Sequence, residues 1–387
     1  MDVRALVLVR TPAEILADPR PISTLPATLL DVAGRSPLQR TLEHLHRFGL
    51  QQITVVSDCI PAFGASPDRR NGDYVNANRE RFWRAAETAF NDLAQEGAEL
   101  ILIINLGAYA EIDFEKLVQF HLDGQARVSQ ACWGNRLLEV FCISASRRND
   151  AASLFRSQLA RCRIECPLFE YTGYFNPLDD ARGLRQFAID ILSLRTDTKP
   201  SGTQARPGVW MERGARLEKG ARVLAPCFVG AFAKIRAHAV LTRCSSVEHH
   251  AQVDLGTIVE NSTVLPYCRV GAGLDVAHSV VGGGTLANLR RDVVVEICDP
   301  KLIGYVGATA GERFLKAAVE FAAYLPKQAW HGVFGKPGPQ HPDLQTALHQ
   351  TSPVLGTAAG YQAPACDAGA AEEFPSNLAV VRRYGHQ

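Results

Sequence analysis

Residues 209–265, VWMERGARLEKGARVLAPCFVGAFAKIRAHAVLTRCSSVEHHAQVDLGTIVENSTVL, repeat a six-residue pattern that decides the fold of the C-terminal half. Aliphatic side chains recur at every sixth position, at Met211, Leu217, Val223, Val229, Ile235, Leu241, Val247, Val253, Val259 and Leu265. The residues two positions before them are nearly all small: Val209, Ala215, Ala221, Cys227, Ala233, Ala239, Ser245, Ala251, Thr257 and Thr263. A period of six fits neither an α-helix, with about 3.6 residues per turn, nor a strand, with about two, so it indicates a repeat architecture.

Three such hexads make one triangular coil of a solenoid. The aliphatic residue fills a corner of the coil, and the small residue lets the chain turn beside it. This pattern resembles the hexapeptide repeat of the left-handed parallel β-helix found in bacterial acyltransferases and sugar-nucleotide enzymes. The strict repeat ends near Cys268, and glycines beyond it indicate one or two irregular coils up to about Asp292. We therefore predict a left-handed parallel β-helix over residues 208–305.

The first half of the chain alternates short apolar runs with segments of helical spacing. Leu38, Leu42, Leu45 and Phe48 lie on one face of a helix that Gly49 closes. Strands are expected at 5–9, 53–56 and 99–105, and a further helix at about 80–95. Alternating strands and helices predict a doubly wound α/β domain over residues 1–195. The polar, turn-rich residues 196–207 are interpreted as a linker.

Two segments follow the repeats. Thr309 and Glu312 have capping-box spacing, and apolar residues trace one helical face after them, so a helix over residues 309–325 is expected to cap the open end of the solenoid. Residues 334–387 are rich in Gly, Pro, Ala and Gln and show little periodicity. This composition predicts a low-complexity, disordered tail.

The composition excludes several classes of partner. Lysine and arginine number 41 against 40 acidic residues, so no overall charge favours nucleic acid or an anionic membrane. The longest apolar run, residues 100–106, is too short to span a bilayer, and the N-terminus lacks the features of a signal peptide. Ten cysteines show no zinc-ligand spacing. We expect a cytoplasmic protein with reduced thiols and no bound metal.

Three segments of the first half carry a resemblance to a known family. Pro26–Arg35 with Gln39–Leu45, Asn105–Ala108 with Ile112–His121, and Gly173–Phe175 match, in order, a PKPLLPVGGK segment, an NGD…DLxxLLxxH stretch and a GYWxD loop. Together with the repeats, they resemble the sugar-1-phosphate nucleotidyltransferases, such as mannose-1-phosphate guanylyltransferase. The resemblance implies a Rossmann-like nucleotidyltransferase domain that joins an NTP to a sugar 1-phosphate with Mg²⁺.

The chemical residues of that family are missing here. Its glycine-rich phosphate turn is replaced by Arg10-Thr11-Pro12-Ala13-Glu14, which has no glycine to let backbone N–H groups approach an anion. The family's lysine falls on Ala27, and its two metal-binding aspartates fall on Ala108 and Pro177. Asp113, Asp179 and Asp180 lie near these positions in the sequence and are the carboxylates that could hold Mg²⁺ in their place, so the metal is expected only if the protein is active.

Four residues remain as candidates for binding a sugar nucleotide or sugar phosphate: Arg10, Arg20, Asp113 and Tyr174. Asp113 also stands where a helix begins, which makes helix capping its alternative role. We interpret the chain as a nucleotidyltransferase fold without its catalytic set, acting as a regulatory, sugar-nucleotide-binding or scaffolding subunit. It would form a homo-oligomer or a hetero-oligomer with an active paralogue, as the resemblance implies.

Three alternatives stay open at this point. The protein is an active nucleotidyltransferase with a rebuilt site, or an acyltransferase that uses His250, which with His249 is expected to face outward, as general base. Alternatively it serves assembly alone, with Phe228, Phe232 and Tyr267 on an exposed face of the solenoid. The arginines Arg35, Arg40 and Arg47 are interpreted as the solvated side of an amphipathic helix.

Overall fold

The computed structural model describes residues 1–11, 22–23, 25–58, 73–76, 82–145, 166–306 and 381–382. The expected capping helix at 309–325 and Arg20 lie outside the described residues. So does the expected tail at 334–387, apart from one short strand within it. Among the described helices, none is both long and apolar enough to cross a membrane.

Seven strands form the N-terminal sheet in the order β3-β2-β1-β4-β7-β6-β8. They are β1 (Val3–Val9), β2 (Ile53–Ser57), β3 (Asp73–Asn76), β4 (Leu100–Asn105), β6 (Val128–Trp133), β7 (Arg136–Ser144) and β8 (Leu168–Glu170). The first four strands are parallel, whereas β7 runs antiparallel to both β4 and β6. A separate short pair, β5 (Tyr109–Ala110) with β9 (Phe175–Asn176), lies outside this sheet.

Helices cover both faces of the sheet. Side chains of α1 (Pro37–Arg47) and α3 (Phe114–Asp123) pack with Ala5, Val7 and Val9 of β1 on one face. Those of α2 (Phe82–Gln95) pack with Leu6 and Leu8 on the other. Because neighbouring residues of a strand point to opposite faces and helices cover both faces, β1 is a buried, continuously apolar run from Ala5 to Val9. The α/β prediction for this half is confirmed.

The repeat forms three sheets of short parallel strands, consistent with a β-helix. The first contains β11 (Val209–Met211), β14 (Cys227–Val229), β17 (Ser246–Val247), β20 (Thr263–Val264) and β23 (Ser279–Val281). The second contains β12 (Arg216–Leu217), β15 (Lys234–Ile235), β18 (Gln252–Val253) and β21 (Cys268–Val270). The third contains β13 (Arg222–Val223), β16 (Val240–Thr242), β19 (Ile258–Glu260) and β22 (Asp275–Ala277). Each strand pairs with the third strand after it, as one coil of three hexads requires.

The coil shortens by one residue after Val259. Met211 pairs with Val229 and Val229 with Val247, but Val247 pairs with Val264 rather than with Leu265. The prediction that Leu265 continues the stack and that Thr263 is its small partner is therefore wrong. The turn at Asn261, where φ is +45°, needs one residue fewer than the earlier turns, so every later stacked position moves back by one.

Antiparallel strands end the stack. Beyond β23 the chain reverses into β24 (Thr285–Asn288) and β25 (Val293–Glu296), and β26 (Ile303–Tyr305) pairs antiparallel with β21. The strand β27 (Val381–Arg382) pairs with β25. At the start of the stack, β10 (Thr203–Arg206) lies in the expected linker and pairs antiparallel with β11.

The helix α4 (Ala181–Leu192) joins the two halves of the described chain. Its residues Leu184, Phe187 and Ile191 belong to the same buried cluster as Cys227 and Val247 of the coils. Burial of apolar surface on both sides removes that surface from water, at roughly 25 cal/mol per Å². Together with Leu30, Val32 and Ala33 of the loop before α1, α4 therefore shares one hydrophobic cluster with the coils, distinct from the two clusters that flank the N-terminal sheet.

A buried carboxylate holds the loop before α1 against the coils. Glu248 is 0 % exposed and accepts hydrogen bonds from the backbone N–H groups of Ala33 (2.9 Å) and Gly34 (3.0 Å). The Ser246 hydroxyl donates to the same carboxylate. Gly34 has φ +87°, and a Cβ there would lie 2.8 Å from the Phe228 ring, so the close approach requires glycine. Phe228 is thus buried in this contact rather than exposed, which corrects the expected assembly face.

Arg40 also lies in this joint, which corrects its expected place on a solvated helix face. It is 1 % exposed, and its guanidinium donates to the carbonyls of Val32 (2.8 Å), Ala33 (3.2 Å) and Lys199 (3.0 Å). Helical spacing alone does not reveal that other segments of the same chain cover this side of α1. Arg47, the last residue of α1, is exposed as expected.

We predict that Arg40→Ala lowers the free energy of unfolding by at least about 2 kcal/mol, because the carbonyls of Val32, Ala33 and Lys199 each lose a charge-assisted hydrogen bond. Arg47→Ala, on the same helix but exposed, should change it by less than about 0.5 kcal/mol. Urea denaturation followed by circular dichroism measures both. Equal effects for the two variants would show that Arg40 is not a structural contact.

We predict that stability falls as pH rises from about 5 to about 8. Burial raises the pKa of Glu248 to about 8, so the unfolded chain releases this proton first and ionisation disfavours folding. Burial opposes the charged form of His249, but its ion pair with Asp31, aided by Glu248 and Glu212, raises its pKa above the usual range. Its stabilising charge is present at low pH and is lost as pH rises, in the same direction.

The readout is the melting temperature across this pH range. Glu248→Gln should be less stable at low pH, since one backbone N–H loses its acceptor, but its melting temperature should depend less on pH. Glu260→Gln is the control, because Glu260 is partly exposed and pairs with Arg243 at 2.6 Å. If the melting temperature of Glu248→Gln varies with pH as steeply as that of the wild type, Glu248 is not the source of the pH dependence.

Candidate ligand cleft

A cleft of about 490 Å³ lies at the carboxyl ends of β1 and β4. Arg10 follows β1, and Asn105 to Ala108 follow β4. Arg136 to Val140 of β7 form one wall, and Phe175 and Asp179 close another side. In open parallel sheets ligands bind at this edge, where neighbouring connections leave in opposite directions. The volume is that of a small-molecule site.

The turn after β4 shapes the floor of the cleft. Leu106 N–H still donates to Leu8 O at 2.8 Å, so the parallel pairing continues one residue beyond the strand. Gly107 N–H then donates to Asn105 O at 3.0 Å, which turns the chain sharply. A Cβ on Gly107 would have no atom within 4 Å, so the space in front of this turn is open. The turn is therefore accessible to a ligand.

Charged and aromatic side chains line the walls in pairs. Asn105 donates to the Glu139 carboxylate, and Arg136 lies 3.7 Å from Asp179. The guanidinium of Arg136 also lies over the Phe175 ring, 5.2 Å from its centroid. Arg136 thus presents a cation that an aromatic ring orients, and a planar guanidinium is suited to phosphate or carboxylate groups.

Two further aromatic contacts support these cations. Trp133 stacks on Phe175 with ring centroids 4.9 Å apart, and its indole N–H donates to Gly173 O at 3.2 Å. Arg10 lies over the Trp83 ring, 5.4 Å from its centroid. The cleft therefore combines two arginines with flat aromatic surface near one of them, a combination suited to an anionic ligand that carries a ring.

Of the residues predicted to bind a ligand, the structure places Arg10 in the cleft and two others outside it. Asp113 caps α3, accepting from Lys116 N at 3.1 Å, and its hydrogen bond with the Lys116 side chain lowers its pKa. Tyr174 donates to Asp190 at 2.8 Å and stacks on Phe187, so its hydroxyl is used within the joint. Neither belongs to the described lining of the cleft.

The three positions that match the family's chemical residues carry no side-chain atoms that could bind a metal, and only Ala108 is among the described residues that line the cleft. Ala108 lines the cleft, Ala27 begins a short 3-10 helix, and Pro177 follows β9. The carboxylates of the cleft are Glu139, bonded to Asn105, and Asp179, beside Arg136. No three His, Cys, Asp or Glu side chains of the described residues cluster around a point. This set does not fit the Mg²⁺ site that the resemblance implies.

The candidate acyl-transfer base His250 lies on a corner of the coils, away from the cleft. Its ring stacks on Tyr267 with centroids 4.9 Å apart and lies 5.1 Å from the Phe232 ring. Its Nδ1 lies 3.1 Å from Nδ1 of His249. His249 is turned outward from the coils but is buried, because the α/β part covers it and its Nε2 lies 3.1 Å from the Asp31 carboxylate.

The sequence reasoning missed the wall formed by Arg136 and Glu139. Both lie on β7, which follows β6 after a tight turn at Gly134, where φ is +54°. The stretch Trp133-Gly134-Asn135-Arg136 carries a hairpin signal, since glycine and asparagine favour such turns. The pairing of β7 with β4, which brings the hairpin beside Asn105, joins residues far apart in the sequence.

Comparison of the sequence with known proteins found no relative of this chain. The chain matches no known family model and no curated protein sequence. The cleft therefore has to be interpreted from its own residues, Arg10, Arg136, Glu139 and the aromatic pair Trp133 and Phe175, together with the resemblance of the three segments.

We predict that Asp113 stabilises the fold and does not bind a ligand. Asp113→Ala should cost about 1 kcal/mol of unfolding free energy, because the first turn of α3 loses its cap. Asp113→Asn keeps an acceptor and should cost less. Asp123→Ala, at the other end of the helix, is the control, and urea denaturation is the measurement. A neutral Asp113→Ala variant would show that the capping contact contributes nothing.

Proposed function

We propose that the protein binds a sugar nucleotide or sugar phosphate in the cleft without transferring a nucleotidyl group. The main support for this proposal is the composition of the cleft. It lies at the carboxyl ends of β1 and β4 and retains Arg10 and Arg136, whereas Ala108 stands where the family's metal carboxylate would be. The framework of a nucleotidyltransferase is thus combined with a binding surface that lacks the chemical residues.

The cleft offers contacts for both parts of such a ligand. Arg10 and Arg136 are cations at opposite sides of the cleft, and each can donate charge-assisted hydrogen bonds to a phosphate. Trp133, which stacks on Phe175 and is 41 % exposed, offers a flat apolar face for a base or for the face of a sugar ring. These contacts recognise a phosphorylated ring compound and do not by themselves activate a bond.

Transfer chemistry needs more than this cleft supplies. The departing pyrophosphate carries charge that the family neutralises with Mg²⁺ and with backbone donors of a glycine-rich turn. The segment in that position contains Pro12, which has no N–H, and Glu14, whose charge repels phosphate. Removing one stabilising donor costs roughly two to three orders of magnitude in rate. Loss of several makes turnover negligible.

The resemblance also implies the hand of the coils, the location of the protein in the cell and its role as a subunit. The coils would have the left hand of hexapeptide-repeat proteins, and the protein would act in the cytoplasm. It would be a regulatory or scaffolding subunit, as a homo-oligomer or beside an active paralogue. A chain that binds the ligand of its paralogue without consuming it can report the ligand's concentration to that partner.

We expect isothermal titration calorimetry with a panel of NDP-sugars and sugar 1-phosphates to show saturable binding of at least one compound. Arg136→Ala should weaken that binding by about tenfold or more, since a charge-assisted hydrogen bond is lost. Arg206→Ala, an exposed arginine on β10, should leave it unchanged. Absence of heat with every compound would overturn the binding proposal and leave only scaffolding.

We also expect no Mg²⁺-dependent pyrophosphate release from any common NTP with any sugar 1-phosphate of the panel. The assay compares each reaction with a control that lacks the sugar phosphate, using protein shown to be folded by its melting curve. Release above that control would mean that the protein is an active nucleotidyltransferase with a rebuilt site.

A further inference from the structure

A second pocket, also about 490 Å³, lies where α4 packs on the coils. It shares no lining residue with the cleft. Its polar lining consists of Arg182, Arg185, Gln186, Asn261, His278 and Arg290. Three of these are arginines, and the described lining contains no aspartate or glutamate. The pocket is therefore a concentration of positive charge in a chain whose overall charge is close to zero.

The central residue of the pocket is a buried arginine with only neutral partners. Arg185 is 2 % exposed, and its guanidinium donates to Cys244 O (2.7 Å), Asn261 Oδ1 (2.9 Å), Asn261 O (3.1 Å) and Thr263 Oγ1 (3.3 Å). Burial lowers the pKa of Arg185 to about 10, because no carboxylate offsets the loss of water around its charge. Buried charges are normally paired, so an anion would complete this arrangement.

His278, which lines the pocket, has its tautomer fixed by Asn261. Its Nδ1 lies 2.7 Å from Asn261 Nδ2, and Asn261 Oδ1 accepts from Arg185. The amide orientation is thus set by the arginine, which cannot accept a hydrogen bond. Asn261 Nδ2 must donate to Nδ1, so in the neutral ring the proton resides on Nε2. The pocket gains a further donor from this tautomer.

Arg182 and Arg290 are the other two arginines that line the pocket. Arg182, at the start of α4, pairs at its exposed end with Asp292 at 2.8 Å, and Arg290 is exposed on the turn that follows β24. One of these charges is partly balanced by a carboxylate and the other reaches into solvent. Exposed cations around a buried one attract an anion and bind it at short range with directed N–H groups.

We propose that this pocket is a binding site for the phosphate or pyrophosphate group of a small phosphorylated molecule. Arg185 supplies the buried charge, His278 and Arg290 donate to the phosphate oxygens, and Arg182 flanks the entrance. Guanidinium groups match the geometry of phosphate oxygens, and three of them favour a multiply charged anion over a single carboxylate. The site is independent of the proposed function of the cleft, and a ligand in it would contact both α4 and the coils.

The test uses the full chain with inorganic phosphate and pyrophosphate as probes, at low salt, by titration calorimetry and by melting temperature. Saturable binding that raises the melting temperature is expected, with pyrophosphate binding more tightly than phosphate. Arg290→Gln should weaken pyrophosphate binding by about tenfold, because one charge-assisted contact is lost. His278→Ala should weaken it as well. Arg222→Gln, an exposed arginine on β13, is the matched control and should have no effect.

Three outcomes would overturn the proposal. The first is the absence of saturable binding at millimolar probe. The second is an equal loss of affinity in Arg290→Gln and Arg222→Gln, which would mean non-specific attraction to the coils. The third is a loss of pyrophosphate binding in Arg136→Ala with none in Arg290→Gln, which would assign the probe to the cleft. Failure of sugar-nucleotide binding in the cleft, with pyrophosphate binding retained and sensitive to Arg290→Gln, would overturn only the proposed function.

Discussion

The carboxylate of Glu248 is the contact on which the joint between the α/β part and the coils depends. It is buried in the coils, yet its hydrogen-bond donors include the backbone of Ala33 and Gly34, which lie more than 200 residues earlier. Burying a carboxylate is costly unless its oxygens are bonded, and backbone N–H groups are donors that cannot move away independently. The loop before α1 is therefore held in one position relative to the coils, and α1 begins directly after it at Pro37.

Other buried polar groups follow the same scheme, in which a charged side chain of one element binds the main chain of another. Arg40 of α1 bonds to Lys199 O, and Arg185 of α4 bonds to carbonyls of the coils. Glu111 accepts from the backbone N–H groups of Asp197 and Thr198. Each contact specifies one relative position of two segments, which apolar packing alone does not. A molecule that binds near α4 would therefore lie beside contacts that fix the position of α4 on the coils.

The regular parts of the fold could be predicted from the sequence, because they depend on local periodicity. The six-residue spacing identified the interior residues from Val229 to Val259, and the apolar run at residues 5–9 identified a buried strand. The shortened turn at Asn261 could not be predicted, since Val264 and Leu265 are both aliphatic and only the pairing distinguishes them. In the cleft, Arg10 and Ala108 could be named because they match positions of the family that the three segments resemble, whereas Arg136 depends on a non-local pairing.

The three segments that resemble nucleotidyltransferases have structural tasks in this chain. Val32 and Ala33 accept from Arg40, and Ala33 also binds Glu248, so the first segment forms the joint. Asp113 caps α3, and Tyr174 bonds to Asp190 of α4. Their order and spacing are therefore accounted for by folding and do not imply a shared reaction. Activity is instead expected from side chains that are open to a ligand, such as Arg10 and Arg136 in the cleft and Arg290 in the pocket beside α4.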